Sequence, residues 1–172
     1  MVLLRETTKD DPNRIELATR KGTPIPNTQI EEYAPFRAKA LIEDLHKQFS
    51  QIAELRSVSQ IYNCVGLVFG VRRTFISDDD VEWILDEDGY KRVPDAQVVI
   101  GDVIAYRRIS ENKIIHVGVV VGTRFDASGL LSRLILSKWG HQGGEYLHLP
   151  TSVPPYYLID AAVEYWSERY LP

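Results

Sequence analysis

The sequence predicts an α+β protein, with helices packed on a mostly antiparallel sheet. Three observations lead there. Apolar residues between positions 35 and 50 recur at three- and four-residue steps, the period of an amphipathic helix. Residues 96–149 read as β-branched runs broken by Gly101-Asp102 and by the turn DASG at 126–129. Helical patterns come first and hairpin-linked strands follow, an order that suits segregated helices better than βαβ units. At 172 residues the chain fits one domain with a sizeable core.

Residues 1–28 read as an N-terminal arm or linker, polar at first and then extended by Gly22, Pro24 and Pro26. The folded domain is expected over 29–172. Phe36, Ala40, Leu41, Leu45 and Phe49 mark the apolar stripe of a helix over 35–50. The run NCVGLVFGVRR (63–73) is short and apolar, so pattern alone allows strand or helix. Ser77 and the acids after it open a helix near Asp78, and DEDGY closes it on a glycine. AQVVIGDVIAYRRI, KIIHVGVVVGTRF and LLSRLILSKWG read as three strands, with GEYLHLP a short fourth. Pro150, Pro154 and Pro155 interrupt regular structure, and LIDAAVEYWSERYL is expected to close the chain as a helix.

Composition narrows the function classes. Hydrophobic residues make up 44% and charged residues 26%, with a net charge of −4 and a pI near 5.6. An acidic chain argues against nucleic acid or an anionic membrane as main partner, because phosphate binding needs a basic face. A single cysteine cannot form an internal disulfide or a paired-cysteine metal site. No secretory signal is legible in MVLLRETTKDDPNR and no run of about 18 apolar residues exists, so a reducing, cytoplasmic setting is expected. Phosphate-loop and dinucleotide fingerprints are missing. The acidic runs SDDD and DEDG lack EF-hand spacing. His141, Glu145 and His148 lack the helical i, i+4 pair of a zinc site. No metal or cofactor is therefore expected.

The chemistry is expected around Cys64. It follows Asn63, a good N-cap, which would place the thiol in the first turn of a helix. There the free N–H groups favour the thiolate and offer an oxyanion site. Gly66 would allow a close approach by backbone or substrate. A cysteine nucleophile needs a base. His116 sits in the apolar strand KIIHVGVVVG, where a buried ring needs a partner. Gly118 and Gly122 share its face by period two and would leave room beside it. His46, on the first helix, reads as a surface residue.

NCVGL, GDVIAY and HVGVVV occur in the order found in NlpC-type peptidases and the related CHAP amidases. Over residues 60–125 the chain resembles these members of the papain-like superfamily. The resemblance implies a papain-like catalytic domain over 29–172, with Cys64 as nucleophile and His116 as general base. A third, orienting residue should come from the next strand. Ser137, Lys138, His141, Glu145 and His148 are the residues on offer. Lysine has no acceptor for an imidazole N–H and serine orients weakly. His148, in a strand-like stretch, is preferred to His141 in a glycine-rich turn. Tyr62, Asn63 and Trp139 are expected to contact substrate. Asn63 lacks the charge of the Asp common at that position in the wall enzymes, which puts a cell-wall peptide in doubt.

The expected function is a cysteine hydrolase, a thiol peptidase or amidase, cleaving an amide or isopeptide bond through a thioester. Two alternatives stay open: a catalytically inactive binding module on the same fold, with a protein partner, and an acyl or peptidyl transferase.

Overall fold

The computed structural model describes residues 13–30, 35–49, 53–126 and 128–169. Among them a seven-stranded sheet is the centre of the molecule. Its strands are β1 (Ala53–Ser57), β2 (Lys91–Val93), β3 (Val103–Arg108), β4 (Lys113–Phe125), β5 (Leu131–Lys138), β6 (Glu145–His148) and β7 (Ala161–Ser167). Their order across the sheet is β1-β6-β5-β4-β3-β7-β2. Every pairing is antiparallel. The helices are few: α1 (Pro35–Phe49), α2 (Cys64–Val68) and α3 (Val81–Glu87). The fold is thus mixed α+β around an open antiparallel sheet.

The sheet separates two cores. One joins α2, α3 and the N-terminal segment to the sheet through Ile25, Cys64, Val65, Ile84, Val103, Ala105 and Val117. The other gathers Ile104, Tyr106, Val120, Ile135, Trp139, Tyr146 and Tyr157. Alternation within the strands creates this division: Val103 and Ala105 face one way, Ile104 and Tyr106 the other. Phe49 of α1 meets the second core edge-on at Trp139, 5.2 Å between ring centres.

Residues 13–30 are extended, as expected, but they are built into the domain. Ile25 is buried in the first core. The Asn27 carboxamide accepts from the Ile15 N–H and the Thr74 hydroxyl, and donates to the carbonyls of Ile15 and Ile25. Thr28 bridges Phe75.

Three expectations need correction. The closing segment is not a helix. Ala161–Ser167 is β7, inserted between β3 and β2. Its apolar residues fit either period, and pairing with β3 decided it. Among the described side chains of α1 the buried one is Ile42, whereas Ala40 is exposed. The side chains of Phe36 and Leu41 lie outside the described residues. Finally, β1 and β2, at the two edges of the sheet, are strands that the sequence pattern did not reveal.

Candidate active site

The stretch around Cys64 is helical because Asn63 caps it. Its Oδ1 accepts from the Gly66 N–H at 2.9 Å, and Nδ2 donates to the Ile76 carbonyl at 2.7 Å. Cys64 is the first residue of α2, as expected. Gly66 is required there by backbone: a Cβ would lie 1.8 Å from the Thr74 carbonyl oxygen. Asn63 thus caps the helix and, through both backbone groups of Ile76, ties it to the segment that follows.

The expected thiolate is not the resting form. Cys64 is only 6% exposed. Burial pushes its thiol up to about 11, although the backbone N–H groups of Val117, Val65 and Cys64 work the other way. Desolvation outweighs the helix terminus because α2 is one turn long and the sulfur sits among Val65, Val103 and Val117.

The Val117 contact locates the sulfur. Val120 exchanges hydrogen bonds with Gly101 and Asp102 on the β3 side. By alternation Val117 directs its N–H toward β5. The β4–β5 ladder, however, starts only at Gly118 and Ser137. The thiol therefore occupies the margin where β5 parts from β4.

His116 is one residue away along β4, and 1% exposed. It pairs with Tyr106, so its ring belongs to the second face. Tyr157 stacks on it at 3.9 Å and 21°. Nε2 lies 3.0 Å from the Ser137 Oγ, which lies 2.7 Å from His148 Nε2. The chain ends at the Leu149 carbonyl, 2.8 Å from His148 Nδ1.

This chain fixes every proton. A carbonyl only accepts, so His148 carries its proton on Nδ1 and offers a lone pair at Nε2. The Ser137 hydroxyl donates to that lone pair and accepts from His116 Nε2–H. The basic nitrogen of His116 is then Nδ1. That atom is buried and has no hydrogen-bond partner. Both rings are neutral at ordinary pH: burial lowers His148 to about 4 and holds His116 well below its usual range, with His148 adding to the effect.

Cys64 and His116 share the margin but no hydrogen bond joins them. The expected bonding contact is therefore not made in this structure, because the pairing of His116 with Tyr106 turns its ring from the Cys64 core. Tyr157 stands close to both, since it stacks on His116 and feels charge on Cys64.

The third residue resolves into two. His148, the preferred orienter, reaches His116 only through Ser137. The sequence offered both, and pairing made them one chain: Ser137 lies beside Gly118 and Tyr146. His141 instead faces Phe75 edge-on. The room expected beside Gly118 is filled, since a Cβ there would lie 2.9 Å from Ile135, Leu136 and Ser137 atoms. Gly122 lines a different hollow of about 460 Å³, with Val98, Ile100, Leu131 and Arg133.

Tyr62 and Trp139 are interior residues, not cleft walls. The Tyr62 hydroxyl donates to Glu145 at 2.8 Å, a carboxylate that Arg72 also holds at 2.9 Å. Trp139 stacks on Tyr146 at 3.9 Å. Residues that the sequence did not single out are Tyr157, over the imidazole, and Arg72, under α2. Proline flanks hinted only at a rigid turn for the former. Among the described residues no cluster of three metal-ligating side chains occurs, and no helix is long and apolar enough to cross a membrane. No protein-family model, no curated protein and no solved structure matches the chain.

Proposed function

We propose that the protein is a papain-like cysteine hydrolase of amide or isopeptide bonds, with Cys64 as nucleophile and His116 as general base. One observation carries the reading. A buried imidazole has its basic nitrogen left without a partner, its other nitrogen pinned by Ser137 and His148, and lies one residue from the amide that touches the chain's single thiol. An orphaned buried acceptor is costly, by about 1–3 kcal/mol, and a catalytic role is one explanation for it; Arg108, Arg133, Trp139 and Tyr146 each hold an unpartnered buried atom too.

This mechanism requires substrate binding to bring Nδ1 and the thiol together at the margin where β5 parts from β4, from starting positions on opposite faces of the sheet. Catalytic contacts commonly tighten only with substrate bound. Nδ1 takes the thiol proton, and sulfur attacks the substrate carbonyl. The tetrahedral intermediate collapses with cleavage of the C–N bond, and Nδ1–H protonates the leaving amine. Water, deprotonated by Nδ1, then hydrolyses the thioester. Ser137 and His148 hold the ring and its tautomer throughout, the orienting task of a third residue. An amine in place of water would make the same site a transferase.

The test is site-resolved alkylation of the folded protein by iodoacetamide, with peptide-amide turnover as a second readout. Cys64, buried and with its thiol pushed up to about 11, is expected to react more slowly than a free thiol near neutral pH, and His116→Ala slows it further. Turnover vanishes in Cys64→Ala. A Cys64 indifferent to His116→Ala refutes the assignment.

The burial of the thiol and its high proton affinity favour one rival, a binding module whose cysteine is only packing. That reading predicts no turnover by wild type and no change of partner binding in Cys64→Ala.

A further inference from the structure

We infer that the tip of the β4–β5 hairpin is a docking surface for a second copy of this chain, which pairs antiparallel with the free edge of β4 about a two-fold axis at Phe125. The inference is independent of the hydrolase reading.

β4 has 13 residues and β3 only six. Their ladder reaches Val103 and Val119. Two more bonds follow, each 2.8 Å: the Gly101 N–H donates to the Val120 carbonyl, and the Val120 N–H to the Asp102 carbonyl. Beyond Val120, among the described residues, β4 pairs only with β5. The Asp126 N–H donates to the Leu130 carbonyl at 2.8 Å, so it points toward β5. Alternation turns Arg124 the same way and aims the backbone N–H and C=O of Thr123 and Phe125 outward. An edge of this kind is a template for another strand.

The side chains around it are apolar. Phe125 is 69% exposed, and Leu131, its cross-strand partner, 63%. Val99, Ile100 and Leu131, all exposed, line the hollow of about 460 Å³ beside Gly122. Leu130, exposed too, ends the turn. Single apolar residues are ordinary on a surface, whereas a contiguous group marks an interaction site.

Charge selects the occupant. An arginine in an edge strand discourages pairing unless an acid meets it. No side-chain partner of Arg124 occurs among the described residues. In antiparallel register about Phe125, that residue meets its own copy through two hydrogen bonds, and Arg124 falls opposite Asp126 of the second copy. Asp126 spends Oδ1 on the N–H groups of Ser128 and Leu130, which leaves Oδ2 for the arginine. Two-fold symmetry makes this ion pair twice. A parallel arrangement would set Arg124 beside Arg124. An antiparallel one centred on Thr123 would set it opposite Gly122 and drive the second body toward the 98–100 loop. The register about Phe125 keeps the bodies apart and brings the turn of each copy, with Leu130, beside the hollow of the other. Each patch is therefore complementary to itself.

Sedimentation equilibrium of the full chain, from about 1 to about 500 μM, reads the association. A contact of this size is expected to give a dissociation constant in the micromolar range. Phe125→Lys and Arg124→Glu weaken it about tenfold or more. Both are expected to melt close to wild type, because the side chains are exposed. Oxidative cross-linking reads the register. At the axis the facing Cα atoms lie about 5.5 Å apart, within disulfide reach. Phe125→Cys therefore forms a covalent dimer quickly, and Thr123→Cys, well out of register with its own copy, slowly. Cys64 is buried and stays out of the reaction. Wild type that remains monomeric throughout overturns the inference and leaves the edge to a different protein or to water. A dimer that Phe125→Lys and Arg124→Glu leave unchanged overturns it too, because it forms elsewhere. So does Thr123→Cys cross-linking as fast as Phe125→Cys, since the axis then lies away from Phe125.

Discussion

At the level where β5 leaves β4, the two faces of the sheet hold the two halves of the candidate site in different ways. On one face a sulfur lies among aliphatic side chains. On the other, an imidazole is held by rings and by a hydrogen-bonded chain with a single loose end, His116 Nδ1. Apolar packing positions the proposed nucleophile, and directional bonds position the proposed base. The difference teaches that the first half tolerates a change of polarity poorly at the backbone level, whereas the second depends on each donor and acceptor in turn.

Substitutions at the two tight glycines probe the first contrast. Gly66→Ala is expected to have the largest effect, about 3 kcal/mol or more, because its Cβ would meet a backbone oxygen that cannot move aside. Chemical denaturation measures it. A loss below that of Gly118→Ala, whose Cβ meets its neighbours at 2.9 Å, would show that α2 shifts freely.

The pH limits of stability separate the faces next. His148 is lowered to about 4 from 6.5. The unfolded chain then binds more protons between those values, so stability is full above pH 6.5 and falls as pH drops through 4. The loss is about 3 kcal/mol from this ring. Cys64 is raised to about 11 from 9. Its contribution is full below pH 9 and falls as pH rises through 11, again by about 3 kcal/mol. Denaturation across pH should show His148→Gln flattening only the acid limb and Cys64→Ala only the alkaline one. Equal effects on both limbs would break the division.

Ser137→Ala should cost about 2 kcal/mol, since it strands the Nε2 atoms of two buried rings at once. It should also free the His116 tautomer and slow Cys64 alkylation, with no such kinetic effect if the serine were merely structural. Tyr62→Phe should be mildest, about 1 kcal/mol, because Arg72 continues to hold Glu145. Thermal melting checks both.

The central strands were legible because β4 and β5 are long β-branched runs, and the turn between them carries its own residues: Asp126 Oδ1 accepts from the Ser128 and Leu130 N–H groups. Asn63 announced α2 for a similar local reason. The edge strands β1 and β2 were not legible, being five and three residues long, too short for the alternation in β1 to stand out. Of the candidate site, Cys64, His116 and His148 were all named from sequence. The link through Ser137 was not, because it depends on which residue of β5 falls opposite Gly118.

By itself, then, the sequence determined the α+β class, the cap that starts α2, and the inventory of one thiol, four imidazoles and a serine–lysine pair ending a strand. Those properties follow from period, turn chemistry and side-chain type, all of which act within a few residues. Only the tertiary structure decided that β7 is a strand, that His116 shares a face with Tyr106, and that Ser137 joins two rings while Lys138 lies 5.3 Å from the Tyr62 ring. Strand register and burial set these outcomes, and both arise between different strands and segments, from hairpin partners to residues 83 apart in the chain.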